Sequence, residues 1–294
     1  MSSNSTLLCP NGGFDLSGTL TSGQAFRWQP EAGAWTGVIA RKWVRLTAVQ
    51  KGILAETAEP VEGWDWLTHY LQTHVDLSKV LESFPDDEPM RQARAHGQGL
   101  RLLRQEPWEC LASFILSSTK RIVQIQQAIG LLSLRYGDPL PHLASKGPVH
   151  AFPSPVRIAQ TTETELRECK VGFRAPYLLS AARAVEAGHL DLEGLRLQST
   201  EKARERLTSL VGVGPKIADC VLLFAYGFQD AFPVDVWVQK ALSQLYFPGR
   251  KRSPDQLKRF AGSHFGPHAG YAQQYLFHYM RTRPGANQVK PARR

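Results

Sequence analysis

Apolar and polar positions alternate along much of the first sixty residues at a spacing of two, the period of a strand with one covered face. The run 42–49 carries it most clearly: Trp43, Arg45 and Thr47 alternate with Val44, Leu46 and Ala48. Short strands are predicted over 14–20, 25–29, 35–40, 42–49 and 52–56, followed by a helix over 63–74. From about Pro107 onward helical signals dominate. Pro107 suits a first helical position, Thr162 and Glu165 have the spacing of a capping box, and Ser253-Pro254 reads as an N-cap followed by a first-turn proline. The pattern predicts an α+β chain, with an antiparallel sheet domain over 1–105 beside a larger helical domain over 106–294. There is no internal repeat and no low-complexity segment.

One stretch, 210–238, carries more chemistry than the rest. In Val211-Gly212-Val213-Gly214 the glycines permit a tight turn and close approach to another chain, because no Cβ obstructs either. Pro215 then starts a helix, which places Lys216 in its first turn, near the positive end of the helix dipole and unpartnered N–H groups. The apolar residues Ile217, Ala218, Cys220, Val221, Leu222, Phe224 and Ala225 predict a buried helix ending near Gly227. With helical character over 200–210, the unit reads as helix, hairpin, helix. Its amides suit a nucleic-acid phosphate, and its carbonyls suit a monovalent or divalent cation bridging to that phosphate. The same residues also fit an ordinary helix start. Asp235 falls where an N-cap would begin a helix over 236–246, and capping alone would account for it.

Composition narrows the choices. The chain has 294 residues, 43% of them hydrophobic, and a formal net charge of +9. Residues 240–294 hold eleven Lys and Arg against the single acid Asp255, so the rest of the chain is close to neutral. That asymmetry fits an electrostatic footprint for phosphates. Arg250, Lys251 and Arg252 form a candidate phosphate-contacting loop, whereas Lys290, Arg293 and Arg294 read as a solvated tail. The four cysteines, at 9, 110, 169 and 220, lack the spacing of a zinc or iron–sulfur site and suit reduced thiols. No run approaches the ~18 apolar residues of a bilayer span, and the start lacks a secretory pattern. An intracellular, soluble protein is expected, in the cytoplasm or nucleoid, or in the nucleus of a eukaryote.

Six fragments then occur in one order: Ser22-Gly23-Gln24-Ala25-Phe26-Arg27-Trp28, Leu102-Leu103-Arg104-Gln105-Glu106-Pro107, Gly172-Phe173-Arg174-Ala175, Gly212-Val213-Gly214-Pro215-Lys216-Ile217-Ala218-Asp219-Cys220, Pro233-Val234-Asp235-Val236, and Ala269-Gly270-Tyr271-Ala272-Gln273. Together they resemble the 8-oxoguanine DNA glycosylases of the helix-hairpin-helix (HhH-GPD) superfamily, in a bacterial-type form, over nearly the whole chain. The resemblance implies a lesion pocket where sheet and helical domains meet. It also implies a monomer acting on double-stranded DNA that contains 8-oxoguanine, with no cofactor needed for catalysis.

Carried over residue by residue, the resemblance makes Lys216 and Asp235 catalytic. It implies that Gly23 accepts a hydrogen bond from the N7–H of the oxidised purine, that Gln273 reads the Watson–Crick edge, and that Cys220 and Phe277 sandwich the base. Thr119, Phe173, Arg174, Gly212, Val213, Gly214, Arg250, Lys251 and Arg252 are the expected DNA contacts. Chemically, a flipped nucleotide exposes C1′ to a neutral Lys216 amine. Attack there displaces the base and leads to a Schiff base, while Asp235 stabilises positive charge on the sugar.

Some positions depart from the animal enzymes. Thr119, Lys120 and Arg121 replace three asparagines, and Gln124 stands where an arginine for the orphaned cytosine is expected. Trp237 and Met280 replace a histidine and its acidic partner. A glycosylase for another damaged base and a non-catalytic DNA-binding module remain the alternatives.

Overall fold

Cross-strand pairing gathers the alternating apolar side chains of the amino-terminal segment onto one face. The computed structural model describes residues 2–118, 120–143 and 147–283. Strands β1 (Ser2–Leu8), β2 (Gln29–Glu31), β3 (Ala34–Ile39), β4 (Lys42–Val49) and β5 (Gly52–Glu62) form an antiparallel sheet in the order β1-β5-β4-β3-β2. Leu46 lies opposite both Trp35 and Ala55, and this register buries Val44, Leu46, Ile53 and Ala55 together. Leu67, Tyr70 and Leu71 of helix α2 (Asp65–Leu71) cover them, after a short α1 (Leu16–Thr21) has crossed the end of the sheet core.

Four of the predicted amino-terminal elements differ from the structure. Residues 14–20 hold a helix instead of a strand, because the Asp15 carboxylate accepts from Gly18 N at 2.9 Å and caps α1. Residues 25–28 lie outside the ladder, which is joined only from Gln29. The helix predicted over 63–74 is confined to Asp65–Leu71, ended by Gln72 in the left-handed conformation. Strand β5 runs on to Glu62 because β1 pairs with it, Ser2 opposite Glu62 and Leu8 opposite Ile53. Strand β1 itself was not anticipated. Its sequence is mostly polar and exposed, so it is held by backbone pairing without a hydrophobic stripe.

Helices α3 (Leu77–Glu82) and α4 (Glu88–His96) lead into α5 (Pro107–Ser117), whose side chains are buried almost throughout. On it pack α6 (Ile122–Tyr136), α9 (Ala175–Glu186) and α11 (Pro215–Val221), and the same core is completed by α7 (Pro155–Ala159), α8 (Glu163–Glu168), α10 (Thr200–Thr208), α12 (Val236–Leu245), α13 (Pro254–His264) and α14 (Ala269–Thr282). The capping devices read from sequence are all present. Thr162 and Glu165 cap α8, Ser253 caps α13, Pro107 opens α5, and Asp235 caps α12. Phe26 from the amino-terminal segment joins the helical core, where it meets Phe114 edge-on at 5.6 Å.

Two buried polar side chains lock that segment in place. The Gln24 amide donates to the carbonyls of Thr19 (3.1 Å) and Arg101 (2.7 Å), and its oxygen accepts from Leu103 N at 2.7 Å. Arg101 is wholly enclosed and donates to the carbonyls of Gln72 and Val75, both at 2.8 Å, and to those of Gly13 and Asn11. Arg101→Met would leave several of these carbonyls buried without a donor, at about 1–3 kcal/mol each. A loss of about 3 kcal/mol or more in unfolding free energy is expected from urea titration. A loss below about 1 kcal/mol would mean that Arg101 is not the tie described.

Candidate active site

Helices α10 and α11 are joined by a short hairpin whose shape follows from its residues. Leu210 and Val213 turn into the core while Val211 is 64% exposed, and Val213 N donates to Leu210 O at 3.1 Å. Gly212 has φ +83, and a Cβ there would fall 2.3 Å from the Tyr177 ring, so glycine is demanded twice. Gly214 instead has φ −89 and faces open space, and it serves as the N-cap ahead of Pro215. Because the Val213 side chain is buried, any outward contact of this residue is through its backbone.

Lys216 lies in the first turn of α11, half-buried. Its Nζ is 3.4 Å from Ser117 Oγ and 5.2 Å from the centre of the Phe114 ring, so α5 supplies one wall around the amine. Helix α11 is fixed by Asp219 on its buried side, which pairs with Arg204 Nε at 2.6 Å and Lys258 Nζ at 3.2 Å. One turn on from Lys216, Cys220 is buried. Desolvation pushes its thiol up to about 12, although the neighbouring Lys216 charge opposes the shift.

Past Val221 the helix widens into a π turn, Leu222–Tyr226, and ends at Gly227 with φ +79. The Arg104 guanidinium donates to Leu223 O at 3.1 Å and Gln105 N to Phe224 O at 2.8 Å. Two residues of the second sequence fragment thus take up carbonyls of this turn.

Asp235 caps α12, its Oδ1 accepting from Val238 N at 2.8 Å. Burial raises its pKa above the usual aspartate value. The Val238 and Trp237 amides and the charges of Lys216 and Arg281 pull against that shift. The carboxylate therefore lies within the field of both cations.

Gly23 approaches the same place from the amino-terminal segment. Its φ is +79, and a Cβ on it would lie 3.3 Å from Phe277 Cε1 and 3.0 Å from Arg281 Nη1. The contact holds because Gln274 Nε2 donates to Ser22 O at 3.0 Å, joining α14 to the Gly23 turn. On the same helix, Gln273 is 3% exposed and its Oε1 has no hydrogen-bond partner among the described residues. Gly23, Phe277, Asp235, Lys216 and Cys220 thus form one linked group, with Gln273 one turn from Phe277. Arg281 was not anticipated from sequence. Its spacing of four from Phe277 and eight from Gln273 puts all three on one helix face, the signal that would have revealed it.

Phe173 is 56% exposed and rests on the Arg174 guanidinium, 4.1 Å from its ring centre; Arg174 itself is buried and donates to the carbonyls of Val171 and Ser118. Tyr177 touches both Phe173 and Gly212, so this turn and the hairpin are neighbours. Arg250, Lys251 and Arg252 occupy the loop between α12 and α13. Gln124, in place of an arginine, accepts from Arg121 N at 3.0 Å and caps α6. Thr119, Lys290, Arg293 and Arg294 lie outside the described residues.

Comparison with known proteins places this arrangement. Residues 6–111 match the 8-oxoguanine DNA glycosylase N-terminal domain, and residues 112–266 match the HhH-GPD superfamily base excision DNA repair proteins. A probable N-glycosylase/DNA lyase of Methanothermobacter thermautotrophicus is 29% identical, over 92% of this chain and 95% of its own. An N-glycosylase/DNA lyase of Arabidopsis thaliana is 32% identical, over 88% and 75%. Among solved structures, the 8-oxoguanine glycosylase/lyase of Clostridium acetobutylicum bound to double-stranded DNA with cytosine opposite the lesion superposes with a TM-score of 0.87 at 32% identity. It covers 94% of this chain and 93% of that one. The sheet domain and the helical domain that follows it are thus matched in turn: the chain belongs to the HhH-GPD superfamily of base excision DNA repair proteins, in the branch that carries the 8-oxoguanine DNA glycosylase N-terminal domain.

Proposed function

We propose that this protein excises 8-oxoguanine from duplex DNA and then cuts the abasic strand through a Schiff base on Lys216. The observation that carries the proposal is the linked group just described. A primary amine lies within the field of a buried carboxylate, and that carboxylate lies within the field of Arg281, which with Phe277 stands against the Gly23 backbone. The similarity to N-glycosylase/DNA lyases supports the same reading.

The lesion must leave the duplex to bring C1′ within reach of Lys216. The Gly23 carbonyl favours a purine bearing N7–H, since guanine would set a lone pair against it. Gln273 Oε1, buried and unpartnered, is available to the Watson–Crick edge. After losing its ammonium proton, Lys216 adds through its free amine to C1′ as the C1′–N9 bond breaks; that bond's electron pair leaves with the base, which takes up the proton shed by the new C–N nitrogen. Asp235 stabilises the positive charge on the sugar. Ring opening gives the imine. Loss of a C2′ proton then expels the 3′ phosphate by β-elimination, and water releases the enzyme. We also propose that the hairpin carbonyls hold a monovalent or divalent cation against a DNA phosphate, as an aid to binding. The hairpin, the Phe173–Arg174 turn and the loop carrying Arg250, Lys251 and Arg252 supply DNA contacts. One chain contributes the whole group, which suits action as a monomer. No helix of the described residues is long and apolar enough to cross a membrane.

Borohydride, which reduces the imine to a stable amine, tests the assignment. Lys216→Gln is expected to abolish excision and covalent trapping on 8-oxoguanine duplexes, with DNA affinity within a few-fold of wild type. Undiminished trapping by the variant would remove Lys216 from the mechanism.

Asp235→Asn separates charge from capping, because asparagine caps about as well as aspartate. Single-turnover excision is expected to fall about 100-fold or more. Thermal stability at neutral pH should hold or rise. Burial raises the Asp235 pKa, so ionisation opposes folding as pH climbs through the carboxylate range; the variant lacks this cost, and the two proteins should converge in stability at acid pH. For the same reason the acid limb of wild-type excision should lie above the ordinary aspartate value of about 3.9. Activity within a few-fold of wild type would reduce Asp235 to a helix cap.

A further inference from the structure

Among the described residues, Arg281 is a cation set against Gly23 and Phe277 that the proposed mechanism leaves unused. Its Nη2 donates to Thr21 O at 2.7 Å, and its guanidinium carbon stands 5.5 Å from the centre of the Phe277 ring. Its Nη1 is shielded from solvent, has no hydrogen-bond partner among the described residues, and would lie 3.0 Å from a Cβ at Gly23. One end of the fork is thus tied to the backbone and the other is aimed at the turn that carries Gly23. A buried donor left open is unfavourable, and such groups persist where a ligand completes them. The Gly23 carbonyl likewise accepts no hydrogen bond among the described residues. Neighbouring side chains keep both groups still. Gln24 and Gln274 pin the turn, and packing of Phe277 beside the guanidinium limits its swing.

Side by side, the two open groups make a donor and an acceptor. An 8-oxopurine presents the complement on adjacent atoms, an acceptor at O8 and a donor at N7–H, whereas guanine presents C8–H and a lone pair. We infer that Arg281 Nη1 donates to O8 of the flipped lesion, so that Arg281 and Gly23 together read its oxidised edge. This rests on the 8-oxoguanine reading above and adds a specificity-determining residue to it. The contact also favours departure of the base, because a charged donor at O8 attracts the electron density that the base takes with it from C1′.

The other acceptor that an arginine here could meet is the phosphate of the flipped nucleotide. An abasic strand separates the two, since it keeps the phosphate and lacks the base. Single-turnover rates would be measured above neutral pH for wild type, Arg281→Met and Arg281→Gln, on 8-oxoguanine opposite cytosine and on a preformed abasic site. Arg281→Met should lose roughly 10- to 100-fold in excision, the value of one charge-assisted hydrogen bond. Its strand cleavage at the abasic site should change by less than about threefold, which also reports that the variant is folded. Arg281→Gln, with a neutral and shorter donor, should fall between wild type and Arg281→Met on the lesion. Equal losses on both substrates in both variants, at unchanged melting temperature, would assign Arg281 to the phosphate and overturn the O8 contact. Excision unaffected by either variant would also overturn it. If wild type leaves 8-oxoguanine intact while cutting abasic DNA, the substrate reading itself fails.

Discussion

The pocket depends on where one glutamine is buried. Gln24 is fully enclosed, and its single amide joins Thr19, Ser22, Arg101 and Leu103. With its own carbonyl accepting from Gln105 Nε2 at 2.6 Å, it takes the place of a strand ladder for a segment that has none. A buried amide with every group satisfied has few alternative positions of similar energy, since each would leave a donor or acceptor open. Gly23, one residue earlier, is therefore delivered to α14 at a fixed height. Gln274 completes the link by holding Ser22 from the far end of the chain. The wall of the pocket is thus made from residues some 250 positions apart, joined through buried hydrogen bonds.

The other wall depends on electrostatics within the helical core. Asp219 and Lys216 belong to the same helix and have opposite tasks. Asp219 is buried on the inner side and satisfied by Arg204 and Lys258, an arrangement that fixes α11 against α10 and α13. Lys216 is left on the open side, against an aromatic ring and a hydroxyl, without a carboxylate bound to it directly. Asp235 is held by amides of its own helix in preference to a salt bridge, and burial raises its pKa. These groups carry unmet electrostatic demand in the folded protein. So do Gln273 Oε1 and Arg281 Nη1, both buried and without hydrogen-bond partners among the described residues. A buried polar group left open persists where a ligand can complete it.

The same economy governs the departures from the animal pattern. Gln124 has become a helix cap, where its amide closes the first turn of α6. Arg174 supports an exposed Phe173 from beneath. Met280 is enclosed in the core and Trp237 lies under the Lys240 ammonium, so neither retains the polar function of a histidine and acid pair. Arg281, next to Met280 in sequence, turns instead to Thr21 and Phe277.

Local chemistry made much of the helical half legible. Caps, first-turn prolines and the glycine turn act within four or five residues, so Pro107, Thr162, Gly212, Pro215, Asp235 and Ser253 marked their elements from sequence alone. Strand β4 was legible from its alternation, which holds for Val44, Arg45, Leu46 and Thr47 and fails at Trp43, buried on the other face, and at Ala48, which is exposed. The pairing of Lys216 with Asp235 was legible through family resemblance, carried by short motifs in order. Tertiary structure decided the remainder. Strand β1 is polar and exists because β5 offers an edge; residues 25–28 look like a strand but join no ladder, tied instead by Arg27 to the His150 carbonyl and by Trp28 to the Tyr70 hydroxyl; and the helix at Leu16 depends on one carboxylate. The juxtaposition of Gly23 with Phe277 and Arg281 was likewise beyond local reading. Short-range sequence signals register which backbone groups a residue can satisfy nearby, whereas contacts between distant segments depend on which groups the folded core leaves open.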